Sequence, residues 1–157
     1  MVVTSLHTGI RWGTLVQLEW KDIDLVNSIL TVRAGIEKTK KNRHIPLNSK
    51  ALEVLKAWKG STVDETLPAP DPNLVFPGKN GAVRDNIKKS WATVKKMADI
   101  KDFRWHDLRH SFASKLVQRG VDLNTVRELM GHSDIKMTLR YAHLAPEHKA
   151  AAVAVLV

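Results

Sequence analysis

The stretch RWHDLRHSF, residues 104–112, sets His106 and His110 one helical turn apart with Asp107 and Arg109 between them. Three chemistries compete for that spacing. A metalloprotease helix needs His-Glu-x-x-His, two ligands at i and i+4 flanking a glutamate base. Here Asp107 stands in the glutamate's place with a shorter reach, and no other histidine repeats a ligand spacing tied to this helix. The zinc reading is therefore disfavoured. The plain reading is packing, with His106 at a helix start and Arg109 turned to solvent. The third reading pairs i with i+3. His106 and Arg109 then share a face in the first turn, where backbone N–H groups already attract anions. An imidazole and a guanidinium there hold a phosphate between them, the arginine binding two oxygens at once. Spacing alone leaves the three open.

Residues elsewhere favour the phosphate. Arg11 stands in TGIRWG, directly after a Thr-Gly turn at a helix start. Lys38 opens the tip KTKKNRH, whose Lys40, Lys41 and Arg43 make it a candidate contact for a nucleic-acid backbone. A solvated charged hairpin is the bland alternative. His132 follows Gly131 in LMGHSD, a place that also suits an ordinary polar turn residue. Arg140 needs no role beyond surface charge. Tyr141 is the only tyrosine in the chain. A lone tyrosine usually packs, yet its phenol, with a pKa of about 10, becomes a covalent nucleophile when neighbours activate it. Attack on a phosphodiester needs cations on the non-bridging oxygens, an acceptor for the phenolic proton and an acid for the leaving oxygen. Two arginines, a lysine, two histidines and a tyrosine meet that need without a metal.

The composition agrees. The net charge is +9, from 25 Lys and Arg against 16 Asp and Glu, which favours a polyanionic partner, nucleic acid first. At 157 residues the chain is sized for one domain. Cysteine is absent, which removes disulfides, thiolate zinc sites and cysteine nucleophiles and suits a reducing compartment. No apolar run approaches the roughly 18 residues of a membrane span, and the start MVVTSLHTGIRW lacks the pattern of a signal peptide. A soluble, cytoplasmic protein with no membrane partner is expected.

These residues need elements to hold them. The pattern of Leu15, Leu18 and Ile23 predicts a helix entered after Thr8–Gly9 and left near Lys21. The β-branched stretch that follows predicts a strand, an Asn-Ser turn, a strand through Ile29–Val32, the basic tip, and a strand at Ile45, a small antiparallel sheet. A helix capped by Asn48 or Ser49 carries Leu52, Leu55 and Trp58 on one face and ends at Gly60. Residues 61–73, with Pro68, Pro70 and Pro72, form a loop. Further helices are expected with a stripe of Ile87, Trp91, Val94 and Ala98, with Leu108, Phe112 and Leu116, and after caps at Asp122 and Ser133. The last, after Pro146, is helical by composition. The total is six or seven helices and one sheet.

TGIR, KTKKNRHIPL, HDLRHSFAS and MGHSDIKMTLRYAH resemble, in order and spacing, the motifs of the tyrosine recombinase (phage integrase) family. The resemblance runs from about residue 8 to 150. Each block is modest by itself; the ordered set is specific. His106-x-x-Arg109, the nine residues from His132 to Tyr141, and Lys38 eight residues before Pro46 all fit the family pattern.

The resemblance implies an α+β, mainly α fold: a multi-helical DNA breaking-rejoining catalytic domain with a small three-stranded antiparallel sheet near the N-terminus. It implies a site-specific recombinase that acts on double-stranded DNA at attachment-type sites. Tyr141 attacks the phosphate, leaving a 3′-phosphotyrosyl link and a free 5′-hydroxyl. Arg11 and Arg109 clamp the non-bridging oxygens, and Lys38 protonates the leaving oxygen. His106 acts in proton transfer at the tyrosine, and His132 hydrogen-bonds the phosphate. The bond energy is kept in the phosphotyrosine, so no cofactor, neither ATP nor metal, is required. His110 is left to support or pack. By the same resemblance the apolar C-terminal segment docks on a neighbouring copy on DNA.

The sequence departs from the family at Thr14, where an acid commonly stands three places after the first arginine. It also begins seven residues before Thr8, so a catalytic domain truncated on its N-terminal side, without its DNA-clamping partner domain, is expected. A non-catalytic DNA-binding remnant is the alternative of a different class. A type IB topoisomerase fits the compact 106–141 spacing less well, and a zinc hydrolase stands last.

Overall fold

A computed structural model describes residues 1–37, 41–61, 73–78 and 81–146, with Val153, Ala154 and Leu156. The chain forms two compact units, Met1–Phe112 and Ala113–Val157.

The first unit opens with a helix that the hydrophobic pattern does not announce. Helix α1, Val2–Thr8, buries Thr4, Ser5 and Thr8 rather than an apolar stripe. Thr8 Oγ1 donates to the Thr4 carbonyl at 2.6 Å, satisfying one of these hydroxyls within the helix. Gly9 ends it in the left-handed conformation, φ 62°, with its N–H on the Ser5 carbonyl. A Cβ at Gly9 would stand 2.4 Å from the Phe112 ring, so glycine is needed here for both conformation and space.

Helix α2, Trp12–Val16, starts after the extended Arg11 and stops at Gln17, well short of the expected Lys21. The cause lies far along the chain. Trp20 N–H donates to the Asn73 carbonyl at 2.7 Å and Val75 N–H to the Leu18 carbonyl at 2.8 Å, an antiparallel bridge that pulls residues 18–20 out of helical geometry. A 3₁₀ turn, Trp20–Asp22, closed by a reciprocal Glu19–Asp22 capping box, leads into the sheet.

Strands β1 (Ile23–Asp24), β2 (Ile29–Val32) and β3 (Arg43–Pro46) form the expected antiparallel sheet in the order β1-β2-β3. Ile23 pairs with Leu30 and Leu30 with Ile45, a buried apolar row across all three strands. The first turn is closed locally: Asp24 Oδ1 accepts from the N–H of Val26 (3.0 Å) and of Asn27 (2.8 Å), and Ser28 takes φ 57°.

Helix α3, Ser49–Ser61, is capped by Asn48, whose Oδ1 accepts from Ala51 N–H at 3.0 Å. It packs against α1 through buried Ala51 and Leu55 and continues through Gly60 to Ser61, one residue past its expected end. Trp58 stays partly exposed while its indole N–H donates to the Val75 carbonyl at 2.6 Å. The proline-bearing segment 62–72 lies outside the described residues.

In α4, Lys88–Met97, only Trp91 of the expected stripe is buried. Ile87 is half-buried, and Val94 and Ala98 are exposed. Helix α5, Asp107–Gln118, carries buried Leu108 and Phe112, with Leu116 half-buried.

Within the second unit, α6 (Leu123–Met130) begins at Asp122, whose side chain accepts from Thr125 N–H at 2.9 Å. It ends at Gly131 with φ 62°, and His132 N–H reaches back to the Arg127 carbonyl at 3.0 Å. The short α7, Lys136–Leu139, is not capped by Ser133 as expected; Asp134 Oδ1 accepts from Lys136 N–H at 2.9 Å instead. A 3₁₀ turn, Ala142–Leu144, follows Tyr141. Most of the segment after Pro146, including the expected terminal helix, lies outside the described residues. No helix among the described residues is long and apolar enough to cross a membrane.

Candidate phosphate-handling site

In the first unit, two of the expected residues, Arg109 and Arg11, meet at the turn between α1 and α2. Arg109 is only 3% exposed, which overturns the reading that points it to solvent. Its Nη1 donates to the carbonyl of Gly9, the residue that ends α1. One arginine is thus tied to the turn that presents the other, Arg11, two residues later. Arg11 stands at a helix start after the Thr-Gly turn, as expected, with extended backbone as the N-cap of α2.

Aromatic rings brace both sides of this site. Trp12, next to Arg11, meets Trp105, next to His106, edge-on at 5.2 Å between ring centroids. Trp105 in turn meets Trp91 of α4 at 5.1 Å, and Trp91 donates its indole N–H to the Phe103 carbonyl at 3.2 Å. Such T-shaped contacts are directional as well as apolar. They fix the backbone on which Arg11 and His106 stand.

His106 is exposed, and its ring lies edge-on to His110 at 4.9 Å. Partial desolvation lowers its pKa from the ordinary imidazole value, reinforced by the positive charges of His110, Arg109 and Arg11 against the opposing pull of Asp107. Its ring is thereby biased toward the neutral form, able to accept a proton. Asp107 is turned away from metal chemistry. Its Oδ2 accepts from Arg104 N–H at 2.7 Å, and its Oδ1 pairs with Arg104 Nη2 at 3.1 Å, fastening the start of α5.

The basic hairpin divides. Lys38 and Lys40 lie outside the described residues. Lys41 is exposed at the edge of the tip. Arg43, expected to meet a nucleic-acid backbone, instead directs Nη2 onto Glu37 Oε2 at 3.0 Å and is largely buried. Glu37 also receives Arg11 Nη1 at 3.0 Å and the Thr14 hydroxyl at 3.0 Å, both on Oε1. Burial works to raise the Glu37 pKa, but the charge and hydrogen bond of Arg43, the charge of Arg11 and the Thr14 hydroxyl together hold it below the ordinary carboxylate value.

In the second unit, His132 is buried, and its Nδ1 lies 2.8 Å from the Thr138 hydroxyl, which fixes the ring plane. The Thr138 carbonyl accepts from Tyr141 N–H at 3.0 Å, so one threonine orders both the histidine and the backbone of the tyrosine. Tyr141 is 5% exposed.

Three contributors were not singled out from the sequence: Glu37, Thr138 and the Trp12–Trp105 pair. Signals existed for two of them. Glu37 is the one acid abutting an otherwise basic tip, and each tryptophan adjoins a candidate residue. Thr138 carries no such mark.

A model of the phage integrase family matches residues 1–148. The chain belongs to this family. Among its relatives, the integrase of Salmonella phage P22 is 35% identical over 157 residues, covering 94% of this chain and 39% of that protein. The tyrosine recombinase XerC of Xanthomonas axonopodis pv. citri (strain 306) is 36% identical over 152 residues, covering 91% of this chain and 45% of that protein. The chain therefore spans less than half the length of these relatives.

The fold matches solved structures of the same family. A Tn1549 transposon integrase in complex with a circular intermediate DNA superposes with a TM-score of 0.77 at 26% identity, covering 99% of this chain and 57% of that one. The XerA recombinase gives 0.75 at 27% identity, covering 98% and 55%. The mainly helical architecture with its small three-stranded sheet is thus that of a tyrosine recombinase catalytic domain.

Proposed function

We propose that this chain is the catalytic domain of a site-specific DNA recombinase, cutting and rejoining strands through a 3′-phosphotyrosyl intermediate. The observation that carries this reading is that Arg109 is tied to the Gly9 carbonyl, in the turn that presents Arg11 two residues later. Two guanidiniums held there stabilise charge building on the non-bridging oxygens of a phosphodiester. Family membership and the DNA carried by a structural neighbour support double-stranded DNA as the partner.

On this reading the Tyr141 oxygen bonds to phosphorus while the bond from phosphorus to the 5′-oxygen breaks. The phenolic proton passes to neutral His106, and Lys38 supplies a proton to the leaving 5′-oxygen. His132, its ring held by Thr138, donates to the phosphate from Nε2. Rejoining runs the same steps backwards with a 5′-hydroxyl as nucleophile, so the energy of the broken bond is conserved. Lys40 and Lys41 add sequence-independent attraction to the backbone. Copies of the chain associate on DNA through the C-terminal segment, and the protein works in the cytoplasm, where its DNA is.

The test is covalent capture. The chain is incubated with a pool of nicked duplexes randomised around the nick and resolved on a denaturing gel. A protein–DNA band that withstands EDTA, maps to Tyr141 by mass spectrometry and vanishes in Tyr141→Phe is expected. Salt-sensitive DNA binding without any such band would favour a non-catalytic DNA-binding remnant.

A further inference from the structure

The geometry points to Glu37 as the positioning residue of Arg11, locking that guanidinium to the hairpin that carries Lys38; this rests on the functional reading above. The two ends of the ion pair sit in different surroundings. The Glu37 side chain is 4% exposed, whereas that of Arg11 is 35% exposed. An anchored, sealed carboxylate thus holds a cation whose remaining surface faces solvent.

Each oxygen of the carboxylate has its own duty. Oε1 takes Arg11 Nη1 and the Thr14 hydroxyl, so the bond to Arg11 is reinforced from the first turn of α2. Oε2 takes Arg43 Nη2 from β3. Asn42 Oδ1 accepts from Ala34 N–H at 2.8 Å, tying the two sides of the hairpin together below the tip. Glu37 is the residue directly before Lys38.

Charge explains why such an anchor does not cancel its own purpose. One carboxylate facing two guanidiniums leaves the cluster with a net positive charge, so Arg11 keeps its attraction for a phosphate. What the anchor removes is rotamer freedom, which a free arginine would otherwise lose on reaching the transition state. The expected signature is a slower chemical step with DNA affinity nearly unchanged.

Two measurements on the whole chain test this. In the first, side-chain 15N relaxation of the arginine Nε–H groups is recorded without DNA. The Arg11 group is ordered in the parent chain and becomes mobile in Glu37→Gln. It becomes ordered again when Thr14→Asp is added, since that substitution returns a carboxylate from α2. Glu37→Asp, which keeps the charge, serves if Glu37→Gln does not fold. In the second, single-turnover cleavage of a nicked duplex recovered by the capture experiment is followed at saturating DNA. Glu37→Gln slows it roughly 10- to 100-fold, the scale set by misplacing a catalytic group, with less than about threefold change in DNA Kd. In an Arg11→Ala background Glu37→Gln causes no further loss, because it acts through Arg11.

An Arg11 group that stays ordered in Glu37→Gln overturns the proposal, as does additive loss in the double variant. A parent chain that cleaves no duplex while Glu37→Gln still frees Arg11 removes the functional reading and leaves the positioning role standing.

Discussion

The candidate residues of the two units are held at different ranges along the chain. The cations of the first unit are held by residues remote in sequence: Arg109 by Gly9, Arg11 by Glu37, and Trp105, beside His106, by Trp12. In the second unit, the His132 ring and the Tyr141 N–H both meet Thr138, six and three residues away, and His132 N–H reaches the Arg127 carbonyl five residues back. A group fixed by distant partners depends on the whole unit being folded; a group fixed by near neighbours depends on one short helix and its turn. The cations of the first unit should therefore answer to global stability, while loss of the Thr138 contacts should disturb the His132 ring and the Tyr141 backbone locally.

The largest expected effect follows from Gly9. Gly9→Ala forces a Cβ into the Phe112 ring at a positive φ and moves the carbonyl that Arg109 uses. A loss of about 3 kcal/mol, from overpacking and left-handed strain together, is expected in urea unfolding. A neutral result would break the claim that this turn organises the cations. Trp105→Ala ranks close behind, at about 3 kcal/mol, by removing the ring between Trp12 and Trp91. Its circular dichroism melt should shift as a whole rather than gain a separate early phase.

A smaller and more local change is expected for Thr138→Val. It strips the hydroxyl from buried His132 Nδ1 at a cost of about 1–2 kcal/mol. Covalent complex should fall while Arg11 Nε–H relaxation stays as in the parent chain. If the arginine signal moved as well, the contrast between the two units would be wrong.

The smallest effect concerns pH. His106 has its folded pKa lowered, so the unfolded chain binds the proton more readily. Its contribution to stability is complete above the unfolded value of about 6.5 and is lost as pH falls through the lower folded value. Exposure of the ring keeps this term slight. The rate is the better reporter: cleavage should fall over the same acidic window as the His106 Hε1 shift moves, and His106→Gln should flatten that limb. Glu37, also lowered, loses its contribution only at more acidic pH, as the carboxylate protonates.

The sequence by itself determined whatever short polar side chains and glycine settle within a few residues. The turn at Asn27–Ser28 and the caps at Asn48 and Asp122 were all legible, because each is a hydrogen bond or backbone conformation that closes on its own neighbourhood. The alternation around Leu30 and Ile45 likewise announced the sheet. Ordered motif spacing pointed to the same residue types as phosphate-handling candidates.

Tertiary structure decided the rest. Helix α1 hid behind a buried face of Thr4, Ser5 and Thr8, which periodicity reads as polar. The end of α2 was set by pairing with residues more than fifty positions away. Arg109 was drawn inward by a carbonyl a hundred residues earlier, and Arg43 by Glu37 rather than outward to a backbone. A charged or polar side chain is stable inside a fold only where a partner of opposite character meets it. That partner is supplied by the folded chain, so a local reading assigns such residues to the surface until the fold brings the partner to them.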